Sequence, residues 1–278
     1  MMTFGRFRLS LLNHGFLRLD GGAMFGTVPK AVWSRVMPAD EDNRILLATR
    51  SLLIEGEDRV VMIDVGTGGH WPAKFRLIYG VEYVSPRASG LDPEKITDLV
   101  ISHLHFDHAG GIFEMKPGSS PEIELSYPRA RIHVQAANIE TARHPNPRER
   151  ASYTKETLDA LGRADLSRTS GSQEIFRDIW VHRSDGHTRG LQWIEIRDGA
   201  ASVVYPSDMI PFSHHVALPY TMGYDINAEK LLEEKEDFLG RAAAQNWLVV
   251  FEHDPNVPAA HIQKDAAGRY AVRNLVEI

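Results

Sequence analysis

Residues 101-ISHLHFDHAGG-111 place three histidines and an aspartate within six consecutive positions, behind an apolar run and ahead of two glycines. At the end of a strand, side chains at i and i+2 project to the same side, so His103 and His105 converge on one point. Asp107 and His108 follow as the chain turns into the small-residue AGG segment, and they aim at a neighbouring point. The spacing suits two adjacent metal ions. Neutral imidazole and carboxylate suit Zn, Mn, Fe or Co, and two ions ~3.5–4 Å apart can share a water and a carboxylate. As mere polar turn material, H-x-H-x-D-H would arise by chance in roughly two of every thousand chains of this length, which sets it apart from an incidental His-rich loop.

Composition bounds what such a centre can serve. With 278 residues, 43% hydrophobic and 24% charged, the chain can bury a substantial core, and one compact unit over 1–278 is expected. A formal net charge of -6 gives no drive toward phosphate backbones or anionic lipid, so nucleic acid is not an expected partner. The chain contains no cysteine, which excludes disulfides, thiolate-bound zinc and a cysteine nucleophile, and leaves nitrogen and oxygen to hold any metal. The start, MMTFGRFRLSLLNHGFLRLDGG, has early arginines, but Asn13 and His14 break its apolar stretch and no small-residue cleavage pattern follows, so it does not read as a signal peptide. No run approaches the ~20 apolar residues of a membrane span. A cytoplasmic protein without a membrane partner is expected.

Along the chain, Ile45 to Glu55 and Arg59 to Val65 are β-rich runs separated by Gly56, Glu57 and Asp58, which predicts a hairpin. From Gly66 to Gly90 the chain carries Gly68, Gly69, Pro72 and Gly80 together with Trp71, Tyr79 and Tyr83, the pattern of an inserted aromatic loop. Loops of this kind carry substrate contacts. Asp92 and Pro93 open a short helix, and Asp98 to Ser102 is a buried strand ending at the histidine cluster. Arg131 to Gln135 is a second such strand, followed by helical pattern from Ala136 to Leu161 with a break at HPNP, residues 144 to 147. Ile179 to Arg183, Leu191 to Ile196, Ser202 to Tyr205 and Trp247 to Phe251 read as strands, and Asn227 to Ala244 as the longest helix, with Leu231, Phe238 and Leu239 toward the core. Strands and helices interleave without a regular repeat, which argues for layered α and β in one domain.

Three later segments, 184-SDGHTRG-190, 205-YPSDMI-210 and 249-VVFEHDP-255, supply His187, Asp208 and His253 after β runs. With the H-x-H-x-D-H loop, the later G-H-T histidine, the aspartate after a strand and the last histidine, the sequence resembles the metallo-β-lactamase superfamily over residues of about 45 to 255. The resemblance implies an α+β fold, a four-layer αββα sandwich with the metals along one edge. It further implies one ion, most simply Zn, held by His103, His105 and His187, and a second by Asp107, His108 and His253, with Asp208 bridging. Asp64, in 61-VMIDVGTG-68, matches the early aspartate that supports the site from behind the ligands and fixes a ligand's tautomer. His214 and His215 read as structural histidines before pocket residues, and His14, His70, His133, His144, His182 and His261 are left as ordinary surface or structural histidines.

Two metals sharing a water lower its pKa from 15.7 toward ~7 and polarise a carbonyl or phosphoryl oxygen, so a dinuclear-metal-bound hydroxide would be the expected attacking group and no side-chain nucleophile would be needed. Asp107 is the carboxylate best placed to pass the proton to the leaving group. Within the superfamily the short SHLHFDHAGG form and the aromatic excursion look most like the lactonase and organophosphate hydrolase branch, implying a lactone or other ester-like small-molecule substrate and admitting a homodimer. Lactonases of this group often carry a tyrosine three residues past the bridging aspartate. Here that position is Pro211, with Phe212, Tyr220 and Tyr224 farther on. Trp71, Phe212 and Tyr220 are the expected substrate wall. The alternatives are phosphotriesterase, glyoxalase-II-like thioesterase or β-lactamase chemistry and, in other classes, iron-dependent oxygen chemistry or a non-catalytic metal-binding module.

Overall fold

The structure, a computed structural model, describes residues 1–116 and 122–278. The chain divides into two compact units, Met1–Leu17 with Thr49–Ser170 and Arg18–Ala48 with Gly171–Ile278.

The first unit is built on an eight-stranded sheet. The expected hairpin forms from Arg44–Glu55 and Val60–Ile63, antiparallel with Leu52 opposite Ile63 and Glu55 opposite Val60. From there the pairing turns parallel, through Asp98–Val100 and Arg131–Gln135 to Asp165–Thr169. Parallel neighbours need crossover connections, and the inner strands Asp98–Val100 and Arg131–Gln135 are buried over nearly all their length while Asp165–Thr169 is more exposed. Met62, Leu99, Ile132 and Val134 from them join one core cluster with Ile96, Leu104, Ile112 and Phe113. Because the strands run parallel, their carboxyl ends lie side by side, and Asp64, Ser102 with His103, and Asn138 all follow those ends. Crevices outside the carboxyl ends of parallel strands are where α/β sheets bind ligands.

Two parts of this unit depart from the sequence expectation. No strand is foreseen before Ile45, yet Met2–Phe4 and the 14-residue Phe7–Asp20 are strands of the sheet. The Asn13–His14 break is internal to the long strand: His14 is buried, and Gly15 adopts φ +112 where a Cβ would lie 1.7 Å from the Glu82 carbonyl oxygen. The stretch 66–90 is not all loop either. It holds the helix Ala73–Tyr79, closed by Gly80 in the left-handed region, and the short strand Glu82–Tyr83 that pairs with Phe7–Asp20.

The second unit carries a seven-stranded sheet in the order Gln173–Phe176, Ile179–Ser184, Leu191–Asp198, Ala201–Tyr205, Leu248–Val250, Ala259–Lys264 and Tyr270–Leu275. Neighbours are antiparallel except Ala201–Tyr205 and Leu248–Val250, which are parallel because the helix Ala228–Ala244 crosses between them. Asn227 caps that helix by accepting from Lys230 N, and Leu231, Phe238, Leu239 and Ala242 bury its apolar stripe against Trp193, Trp247 and Val249. Ile179–Ser184, Ala201–Tyr205 and Leu248–Val250 therefore run in one direction, and His187, Asp208 and His253 each follow the end of one of them. Among the described residues no helix is long and apolar enough to cross a membrane.

Candidate metal centre

In the first unit the loop after Asp98–Val100 folds into a single turn of helix, Phe106–Ala109, with His105 at its N-cap. The His103 ring lies 4.4 Å from that of His105 and 4.0 Å from that of His108, and His108 Nε2 is 3.8 Å from Asp107 Oδ1. All four side chains are buried or nearly so. The two glycines that close the motif have a steric reason. A Cβ on Gly110 would lie 2.3 Å from Thr67 O and one on Gly111 2.1 Å from Val65 O. Only bare backbone lets the loop pass so close to residues 65–67, where Gly111 N donates to Gly66 O and Val65 N to His108 O, both at 2.9 Å.

Asp64 organises this half. It sits at φ 53, a conformation few residues with a side chain adopt, and it is fully buried. Its Oδ1 accepts from Ser102 N at 2.7 Å, and its Oδ2 from Ser102 Oγ at 2.6 Å and from His108 Nδ1 at 3.1 Å. Ser102 Oγ in turn lies 3.1 Å from His103 Nδ1. Since the hydroxyl proton goes to Asp64, the His103 proton sits on Nδ1 and donates to Ser102. The Nε2 atoms of His103 and His108 are thereby left as lone-pair donors. Behind them, Asn138 Oδ1 accepts from Leu104 N at 2.8 Å, fixing the residue between His103 and His105, and the Tyr153 ring stands edge-on 4.8 Å from His105. His14 also belongs to this network. Its Nε2 donates to Ser51 Oγ at 2.7 Å, Ser51 donates to Asp64 O at 2.6 Å, and burial pushes the imidazole down to about 4, so it is neutral at physiological pH.

In the second unit Asp208 follows Ser207, which is also held at positive φ, 51. Asp208 Oδ2 lies 3.3 Å from His187 Nε2, and Oδ1 lies 3.1 Å from His253 Nε2. The other ring nitrogens are tied back: His187 Nδ1 donates to Asp225 Oδ1 at 2.9 Å and His253 Nδ1 to Ala48 O at 2.8 Å. Carboxylates brace every loop involved. Glu234 accepts from Ser184 Oγ, Asp185 N and Gly186 N ahead of His187. Glu252 accepts from Ser207 Oγ at 3.3 Å, and Asp254 from Ser213 N at 2.9 Å, so the neighbours of His253 fasten the loop that bears Asp208.

The aromatic residues divide between the units. In the first, Trp71 stacks on Phe75 at 4.0 Å, and both meet the Phe106 ring edge-on at 5.5 and 5.4 Å. These rings are half-buried except Phe106, which is buried, and the helix Ala73–Tyr79 that carries Phe75 buries none of its residues. In the second, Phe212 is 0% exposed and packs against Phe25 at 6.2 Å and His215 at 5.2 Å. It has no surface to offer a substrate. Tyr220, half-buried, meets Phe25 edge-on at 5.9 Å. His215 is buried, its Nε2 donates to Met24 O, and desolvation lowers it to about 3. Sequence reasoning did not find Ser102, Asn138, Asp225 or Glu234, because each is an ordinary turn or helix residue that meets its partner only in three dimensions.

Residues 44–253 match the metallo-beta-lactamase superfamily. The chain belongs to the metallo-beta-lactamase superfamily. Its fold is the fold of that superfamily, an α+β architecture. A probable metal-dependent hydrolase from Staphylococcus aureus superposes with a TM-score of 0.87 at 27% identity, covering 99% of this chain and 100% of that one. The N-acyl homoserine lactonase AiiB of Agrobacterium fabrum is 36% identical over 117 residues, 37% of this chain and 42% of AiiB, so the match spans well under half of that relative. AidC, a dizinc quorum-quenching lactonase, shares the fold with a TM-score of 0.79 at 18% identity over 100% of this chain and 97% of its own. Every histidine and aspartate singled out from the metallo-beta-lactamase motif falls inside the matched span.

Proposed function

We propose that the chain binds two divalent ions, zinc first among them, and hydrolyses an ester-like bond in a small molecule, most simply a lactone bearing an acyl arm. The Asp208 carboxylate carries this proposal. Its two oxygens face the Nε2 atoms of two different histidines at 3.3 and 3.1 Å, while both imidazoles use their Nδ1 protons elsewhere. Two lone-pair atoms at that distance repel unless a proton or a cation stands with them. With their Nδ1 protons engaged, neutral imidazoles present only lone pairs to Asp208, and neutral imidazole with carboxylate is the donor set of borderline divalent cations.

By the order of the family motif, His103, His105 and His187 would hold one ion and Asp107, His108 and His253 the other, with Asp208 reaching both. Bound there, the ions supply an acidified water and positive charge for the oxygen of the attacked carbonyl. The chain's own residues do the rest. Asp64, Ser102, Asp225 and the Ala48 carbonyl hold protons on Nδ1 of four ligands and so keep their Nε2 atoms as donors. Asp107 is the carboxylate that passes a proton to the leaving alkoxide. The half-buried Trp71–Phe75 stack offers an apolar surface suited to an acyl arm. The lactonase relatives support a lactone among ester-like substrates.

Metal analysis of the purified chain and of Asp208→Ala tests the proposal, together with turnover of short- and long-arm lactones beside a thioester, a β-lactam and a phosphotriester. About two ions per chain are expected in the parent and fewer in the variant, as for a carboxylate shared by both. Parent-like metal content and turnover in Asp208→Ala would refute the ligand assignment, and turnover of phosphotriesters without lactones would refute the substrate.

A further inference from the structure

The amine of Lys235 is a buried polar group with no part in the chemistry above. Lys235 lies on the helix Ala228–Ala244 and is 0% exposed. Its Nζ donates to the carbonyl of Tyr220 at 2.6 Å and lies 3.5 Å from that of Ala217. Lysine is among the residues least often fully buried, because taking an ammonium out of water is costly unless it is paired. Burial pushes this one down to about 7, against the opposing field of Asp225. A methionine would fill nearly the same volume without that desolvation, so packing alone does not call for a lysine here.

The two carbonyls begin a loop that ends at the partner of a metal-ligand candidate. Along it, Met222 N donates to Asp225 Oδ2 and Gly223 N to Ala23 O, both at 2.6 Å, and Ile226 N donates to His187 O at 2.9 Å. Asp225 Oδ1 then receives the Nδ1 proton of His187. At the other end the Tyr220 ring meets Phe25 and, at 6.2 Å, His215. Gly26, at φ +56, sits where a Cβ would be 2.4 Å from Thr221 O, so the backbone of residues 25–27 closely approaches the loop as well. One short segment thus carries an aromatic ring at its start and the carboxylate that orients His187 at its end, with the Lys235 amine bonded to it from the helix.

We propose that Lys235 is a positioning residue whose buried amine holds the loop 217–225, so that the Tyr220 ring and the Asp225–His187 pair are set together. This rests on the proposed role of His187 as a metal ligand. With Tyr220 in the substrate wall expected from the sequence, it makes Lys235 a link between that wall and the strength of metal binding.

The test compares Lys235→Met with Lys230→Met in the full chain, Lys230 being half-exposed on the same helix and paired with Glu233. Chelator competition gives zinc affinity, cobalt substitution gives the ligand-field spectrum, and KM and kcat are taken with short- and long-arm lactones. Lys235→Met is expected to weaken one ion by about tenfold, the lower end of what losing an outer partner costs, to alter the cobalt spectrum and to raise KM for the long-arm lactone more than for the short. Lys230→Met should match the parent. A Lys235→Met chain that merely melts earlier, with parent affinity, spectrum and KM ratio, overturns the proposal. If Lys235→Met does not fold, hydrogen exchange of the parent decides. Chelation should speed exchange at Met222, Gly223 and Ile226 but not in Leu191–Asp198, and equal exchange overturns the link. A parent chain that binds no divalent ion refutes the metal site itself and the link with it, whereas parent binding left unchanged in Lys235→Met refutes only the role of Lys235.

Discussion

Asp64→Asn alters one atom and tests the tautomer logic of the histidine loop. Asp64 receives three donors, Ser102 N on Oδ1 and Ser102 Oγ with His108 Nδ1 on Oδ2. Asparagine keeps the volume and is one of the few residues that accept a left-handed φ such as the 53 found here, so the backbone change is small. If Oδ1 stays on Ser102 N, the new Nδ2 faces the other two donors. The Ser102 hydroxyl can turn, accept from Nδ2 and donate to His103 Nδ1, but then the His103 proton must move to Nε2. His108 escapes a donor–donor clash only by the same move. Both imidazoles would then turn an N–H toward the place where metal binding needs a lone pair. Losing an orienting partner of this kind typically costs 10–100-fold in metal affinity, and on the proposed ligand assignment roughly that is expected for each of the two ions. A buried donor left unmet costs about 1–3 kcal/mol, which a chain with a typical stability of about 5–15 kcal/mol survives. Zinc affinity by chelator competition, thermal melting and nitrogen NMR of the imidazoles are the assays. Unchanged affinity for both ions with Nδ1 still protonated in His103 and His108 would refute the reasoning.

The fold offers two further tests. Burial alone would raise the Glu195 carboxyl, but hydrogen bonds from His182, Arg197 and Ser202 with the Arg197 charge outweigh it and bring it from 4.5 down to about 2. A depressed folded pKa means stability present above the unfolded value and lost as pH falls through the folded one. At about 1.4 kcal/mol per unit, some ~3 kcal/mol should therefore disappear between about pH 5 and pH 2, and Glu195→Gln should flatten that part of the denaturation profile. Equal slopes in parent and variant would refute it. Gly111→Ala places its Cβ 2.1 Å from Val65 O, a backbone atom that must move and that belongs to the residue bonded to His108 O. A loss of about 3 kcal/mol in chemical denaturation is expected, with weakened zinc binding, and a variant as stable and as metal-loaded as the parent would show that the close approach is not needed.

How much of this was legible in the sequence follows from how far each contact reaches along the chain. The H-x-H-x-D-H loop carries its chemistry within one turn, and its spacing is visible as it stands. The proposed ligands His187, Asp208 and His253 stand out for a different reason. Each follows a β run, and the three strands concerned run in one direction, so order along the chain becomes position along a sheet edge. The failures have local causes too. The strand Phe7–Asp20 hid behind Asn13, His14 and Gly15, three residues that signal a break but here mark a close crossing over Glu82. Phe212 was expected at a substrate wall because it follows Asp208 closely, yet an aromatic ring in a loop says only that it needs burial, and Phe25 and His215 supply that inside the protein.

The orienting partners show where the limit lies. A ligand histidine must hand one ring proton to an acceptor, and the acceptor sits on another element, because the strand end that bears the histidine has its own polar groups engaged in the sheet. Thus Asp64 reaches His108 across 44 residues and Asp225 reaches His187 across 38. Asp64 could be anticipated because it also ends a strand at the same edge. Asp225 ends nothing, and in 222-MGYD-225 it reads as a turn residue. Lys235 is harder still, since a lysine four positions after Leu231 on an amphipathic helix looks like the polar rim of the stripe, while the structure buries it with Leu231, Phe238 and Leu239. For His253 the acceptor is the backbone carbonyl of Ala48, which every residue possesses, so no choice of side chain at position 48 could have announced it. Residues able to hold a metal must be of particular types and leave a trace in the sequence; the groups that aim them need only be acceptors in the right place, and that place is made by the fold.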